Sequence, residues 1–202
     1  MTKPRSGRSS ALGLCAALVG LLFVDTGAAQ PLEPVRYILR LPAPGTHYIE
    51  VEARLPTSSQ PAVELMMAVW TPGSYLVREF ARHVEGVRAS DASGRALTLE
   101  KTQKNRWRVQ TAGDGWVVLS YRVYANEPQA RTNWVNASFA LINGASTYIT
   151  LVENVQRPYK VSLELPTGWA TCRATSCSRS MISASEETES ILFCVATIRA
   201  TR

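Results

Sequence analysis

From Val35 onward, apolar side chains recur at every second position. In residues 35–41, Val35, Tyr37, Leu39 and Leu41 share one face, and Arg36 and Arg40 lie on the other. In residues 47–55, Ile49, Val51, Ala53 and Leu55 alternate with Glu50, Glu52 and Arg54. A period of two predicts half-buried strands. The link Pro42-Ala43-Pro44-Gly45-Thr46 has the chemistry of a turn, so these segments predict an antiparallel hairpin.

Further strands are predicted downstream. Residues 63–70 (VELMMAVW) read as apolar on both faces and central. Residues 96–100 and 105–110 flank a polar link, and residues 116–125 (WVVLSYRVYA) carry the aromatic and β-branched side chains that strands favour. Residues 138–142, 147–152 and 159–165 follow. Asp91-Ala92-Ser93-Gly94 and Ala112-Gly113-Asp114-Gly115 read as turns. The best helical candidate, residues 76–84, is short, with Leu76, Phe80 and Val84 four apart. Short strands with turns at this density predict an all-β fold, an antiparallel β-sandwich.

The two ends depart from this pattern. Lys3, Arg5 and Arg8 precede an apolar run over residues 11–24, and Thr26, Gly27, Ala28 and Ala29 supply small residues for cleavage. The run is about 14 residues, short of the ~20 needed to span a bilayer, so residues 1–29 are expected to be a signal peptide. The expected location is periplasmic or secreted, with no stable membrane span after cleavage. Residues 30–169 form the expected domain. Residues 170–202 read as an atypical tail, poorly structured or aberrant, in which only residues 191–198 (ILFCVATI) look like a strand.

Composition sets further bounds. Of 202 residues, 46% are hydrophobic and 19% charged, which is ordinary for a folded protein. The net charge is +6. Without residues 1–29, 19 basic and 15 acidic residues remain, a net +4 spread along the chain. That reads as a solvated surface, and no nucleic-acid partner is expected. The three cysteines beyond the leader, Cys172, Cys177 and Cys194, all lie in the tail, and an odd number leaves one unpaired within a monomer.

The densest stretch of candidate chemistry is Trp70-Thr71-Pro72-Gly73-Ser74-Tyr75 and the residues after it. Gly73 is expected to supply a positive φ in a Pro-Gly turn. Trp70, Tyr75, Arg78, Glu79, Arg82 and His83 are the candidate contact residues for a substrate or a neighbouring domain. The competing view is an Arg–Glu network that merely pins the loop. A second dense stretch, residues 121–145, has Asn and Gly residues suited to strand ends and turns, and Asn136-Ala137-Ser138 is a formal glycosylation sequon.

Catalytic patterns are lacking in this sequence. It has two histidines, His47 and His83, no HExxH, no G-x-S-x-G and no phosphate-binding loop. No catalytic residue, metal site or cofactor is therefore expected in these residues.

Several of these segments together resemble a known family. WTPGSYLVREFARHVEGVRA, KTQKNRW, YRVYANE, ARTNWVNASFALINGAS and YILRLPAPGTHYIEVEARLP are similar to the N-terminal domain of glycyl aminopeptidases, the zinc metallopeptidases of peptidase family sixty-one, which often carry a PDZ domain. The resemblance covers about residues 37–169. It implies a β-sandwich beside a thermolysin-like catalytic domain whose zinc is held through HExxH and a distant Glu. No zinc ligand or catalytic Glu of that family has a position here, and zinc is expected only in the catalytic domain. The expectation is thus a truncated, non-catalytic peptidase N-terminal domain whose partner is a peptide or a catalytic domain. The alternative is a stand-alone periplasmic peptide- or protein-binding module.

Overall fold

The computed structural model describes residues 32–71, 74, 76–129, 131–152, 157–175 and 195–200. The expected signal peptide, the Gly73 turn, Tyr75, Cys177 and Cys194 lie outside these residues.

Thirteen strands are described: β1 (Val35–Arg40), β2 (Tyr48–Pro56), β3 (Ala62–Met67), β4 (Val84–Ser90), β5 (Leu99–Gln103), β6 (Arg106–Gln110), β7 (Trp116–Tyr124), β8 (Trp134–Val135), β9 (Phe139–Asn143), β10 (Ile149–Leu151), β11 (Tyr159–Glu164), β12 (Trp169–Thr175) and β13 (Val195–Ala200). The fold is all-β. The expected helix over residues 76–84 is only a 3-10 turn, Phe80–His83, and β4 starts directly after it. Three apolar residues four apart do not offset the cost of helix nucleation.

The strands form three sheets. The first has the order β11-β1-β2-β7-β4, the second β10-β3-β6-β5, and the third β12-β13-β9-β8. β1 and β2 form the expected hairpin, with Tyr37 opposite Ala53 and Leu39 opposite Val51. Its link holds a 3-10 turn, Pro44–Thr46, closed by His47 in the left-handed region. One pairing departs from an antiparallel sandwich: β1 runs parallel to β11, from Val35 opposite Tyr159 to Arg40 opposite Glu164. A parallel neighbour needs a crossover, here supplied by everything between β2 and β11. Arg40 ties the pair by donating to Glu164 at 2.6 Å and also reaches Glu52 at 2.9 Å.

The alternation seen in the sequence becomes the core. Tyr37, Leu39, Ile49, Val51, Ala53, Leu55, Val117, Leu119, Tyr121 and Val123 point inward from the first sheet. They share one apolar cluster with Leu65, Met67, Trp107, Val109 and Ile149 of the second. β3 is internal in its sheet, as expected, but it is not apolar on both faces. Val63, Leu65 and Met67 are buried, and Glu64 faces outward between Arg106 and Arg108, 3.4 Å from each. Two tyrosines stitch the layers: Tyr37 donates to the Ile149 carbonyl at 3.0 Å, and Tyr121 donates to the Thr147 carbonyl at 2.8 Å. Burial pushes the Tyr37 and Tyr121 hydroxyls well above the usual phenol range, so both stay protonated donors.

Across the expected boundary at residue 170, backbone pairing continues. β13 pairs with β9, Val195 opposite Asn143, and β12 pairs with β13. No helix of the described residues is long and apolar enough to cross a membrane.

The Asp91 turn is built as its sequence suggests. Gly94 takes φ +88°, a conformation that glycine adopts without strain. Buried Asp91 accepts from the Ser93 hydroxyl at 2.6 Å, the Arg95 backbone N–H at 2.9 Å, the Ser93 backbone N–H at 2.8 Å and Arg95 Nε at 2.8 Å. The Ser93 hydroxyl leads this set, which lowers the Asp91 carboxyl to about 2 despite its burial. A carboxylate whose pKa falls on folding stabilises the fold above its unfolded pKa, and that contribution is lost as pH falls through the folded one. Acid unfolding curves should therefore show stability declining between about pH 4 and pH 2. The decline should be smaller in Asp91→Asn. Identical slopes for the two proteins would refute this role.

Candidate functional site

The segment that follows β3 crosses the surface and returns as the 3-10 turn. Leu76 and Val77 project into solvent, 60% and 69% exposed. The Arg78 backbone N–H donates to the Val69 carbonyl at 2.6 Å, which fixes the segment beside the end of β3. Phe80 and Ala81 are buried and anchor the turn. Opposite them lies the loop after β7. There the Thr132 hydroxyl donates to the Glu127 carbonyl at 2.7 Å, and the Glu127 backbone N–H donates to the Asn133 carbonyl at 3.1 Å.

An open cleft runs between these two segments, lined by Leu76, Val77, Arg78, Phe80, His83 and Thr132 together with the charged Glu79, Arg82 and Glu127. Of the six candidate residues, the structure thus brings Arg78, Glu79, Arg82 and His83 together. Trp70 is 53% exposed and does not line the cleft. Tyr75 lies outside the described residues.

The charges of the cleft are mostly paired. Arg82 is a fork: Nη2 donates to Glu127 at 2.5 Å, and Nε donates to His83 Nε2 at 2.9 Å. His83 Nε2 also lies 3.3 Å from Glu127, but an atom that accepts from Arg82 cannot donate to a carboxylate as well. Burial, helped by Arg82 and opposed by Glu127, holds His83 below the usual imidazole range, consistent with a neutral ring. Lys104 contacts Glu79 at 2.5 Å and lowers its carboxyl. An Arg–Glu pair ties the loop to the segment opposite. It does so through Glu127, which lies 45 residues from Arg82 and was not among the candidates.

Beneath the cleft, Phe80 and His83 also line a small hollow with Asn133 and Ser146. Asn133 is buried there. Its Oδ1 accepts from the Asn143 backbone N–H at 2.8 Å, Ser146 Oγ at 3.0 Å and Thr147 Oγ1 at 3.1 Å. Its Nδ2 donates to the Ser146 carbonyl at 3.0 Å. The sequence marked these asparagines only as turn formers; here Asn133 clips a 3-10 turn, Gly144–Ser146, under the cleft wall.

The described residues do not fit a zinc ion. Among them, no group of three or more His, Cys, Asp or Glu converges on one point. His47 Nδ1 donates to the Val135 carbonyl at 2.5 Å, and His83 is held by Arg82. What the cleft offers instead is hydrogen-bonding and apolar contact at a partly polar rim.

Comparison with protein families matches residues 36–186 to the peptidase M61 N-terminal domain. Among solved structures, an aminopeptidase N family protein from Idiomarina loihiensis is similar with a TM-score of 0.70 at 21% identity, over 82% of this chain and 29% of that one. An M1 zinc metallopeptidase from Deinococcus radiodurans is similar at 11% identity with a TM-score of 0.41, over 85% of this chain and 39% of that one. The chain thus spans less than half the length of either. Comparison with curated proteins gives no match.

Proposed function

Because the chain belongs to the peptidase M61 N-terminal domain family, we propose that it serves as the non-catalytic β domain of a glycyl-aminopeptidase-like metallopeptidase, docking against a catalytic domain and walling one side of its peptide site. The family match carries this reading. It is supported by the exposed Leu76 and Val77, which stand beside a cleft whose walls are pinned from both sides. Exposed apolar side chains rimmed by polar groups suit an interface. Export through residues 1–29 and a periplasmic or secreted location belong to the same proposal.

Two measurements test it. The purified chain should release no p-nitroaniline from Gly-p-nitroanilide in a chelator-sensitive way; robust release abolished by a chelator would overturn the non-catalytic reading. Mixed with a separately produced catalytic domain of a peptidase M61 relative, the chain should co-elute with it. Leu76→Asp with Val77→Asp should weaken that association by about tenfold or more without changing the circular dichroism. Equal co-elution of the double variant would rule out docking through this face.

A further inference from the structure

One cation of the cleft differs from the others. Glu79 is matched by Lys104, and Arg82 by Glu127. The Arg78 guanidinium has no ion-pair partner among the described residues. Its Nε is buried from solvent and has no hydrogen-bond partner among them. Its backbone is fixed by the bond to Val69, so the side chain lines the cleft from a held position. A guanidinium donor covered from solvent and without an acceptor is expensive to keep, and a carboxylate that draws the guanidinium toward the cleft gives that donor a partner.

We propose that Arg78 is the anchor of a subsite for a peptide carboxylate, with the neighbouring apolar side chain of that peptide lying on Leu76 and Val77. The proposal rests on the reading of this face as a contact surface, not on the identity of a catalytic domain. A planar carboxylate matches the fork of a guanidinium. The surroundings suit a singly charged group: Glu79 and Glu127 also line the cleft and are each already matched by one cation, which leaves the single charge of Arg78 to be met. The exposed Leu76 and Val77 add apolar area that a peptide side chain covers and an inorganic anion cannot. Charge complementarity and the adjoining apolar rim thus point to the same occupant.

The test uses the full chain, labelled with nitrogen-15, and three unlabelled peptides. Acetyl-Leu-Glu-Leu-amide carries a side-chain carboxylate, acetyl-Leu-Gln-Leu-amide carries none, and acetyl-Leu-Gln-Leu with a free acid carries a chain-end carboxylate. At least one carboxylate peptide should bind about tenfold more tightly than the Gln amide, moving the Arg78 Nε–H resonance. Preference for the Glu peptide identifies a side-chain carboxylate as the natural group, and preference for the free acid identifies a chain end; either supports the subsite. Arg78→Met should abolish the preference while leaving the circular dichroism unchanged. Equal binding of all three peptides by the unaltered protein, or no binding at millimolar concentration, overturns the proposal without any variant. A preference that persists in Arg78→Met also overturns it. Docking through Leu76 and Val77 is read separately by co-elution, so the two ideas can fail independently.

Discussion

Replacing Asn133 with Ala should lower the unfolding free energy by about 3–5 kcal/mol, read from urea denaturation. The size follows from what is left behind. Ser146 Oγ and Thr147 Oγ1 each have a second acceptor in the Asn143 carbonyl, at 3.2 Å and 2.7 Å, and turn to it. The Asn143 backbone N–H and the Ser146 carbonyl lose the partner that Asn133 gives them. Both lie in buried residues, and losing such a hydrogen bond costs about 1–3 kcal/mol for each group. Ser146→Ala removes only one donor of this set and should cost about 1 kcal/mol. An Asn133→Ala effect no larger than that of Ser146→Ala would show that water or a local shift replaces the amide. Because Asn133 and Ser146 line a hollow whose walls include Phe80, His83, Glu127 and Thr132 of the cleft, Asn133→Ala should also loosen the contact face.

Leu119→Ala should cost about 3–5 kcal/mol, toward the upper part of the range for buried leucines. Leu119 has no exposed surface, and its cross-strand neighbours are Ala53 on β2 and Ala89 on β4. Side chains that short cannot swing into the vacated space, so the cavity stays open. The cost of such a substitution grows with the cavity that remains. Ser120→Ala, one position along and exposed, should change stability by no more than about 0.5 kcal/mol. A loss below about 2 kcal/mol for Leu119→Ala would mean that the two alanine-bearing strands close in.

How much of this was legible in the sequence differs from element to element. β1, β2 and β7 follow their alternation almost residue by residue, because one face of each meets the core and the other meets water. β4 was missed because its alternation is broken. Gly86 takes φ +63° where the register against β7 slips between Glu85 and Arg88, a bulge that resets which side chains face inward. β8 has two residues, too few for any period. At the cleft, the density of charge in residues 78–83 was visible, whereas Glu127 and Thr132 arrive from a separate loop through pairing that no local pattern records. The role of Asn133 is similar in kind. An amide that caps a turn and an amide that bridges two loops look alike until the chain is folded.

The parallel pair of β1 and β11 also has a consequence for the order in which the protein can be made. Arg40 and its partner Glu164 are 124 residues apart. At a synthesis rate of roughly 5–20 residues per second, β11 follows β1 by about 6–25 s. β2 covers one side of β1 almost at once, but the other edge stays open for that whole interval. An open strand edge is a template for wrong partners, so the nascent chain is most exposed to misassembly early, long before its last strand is available to close the sheet.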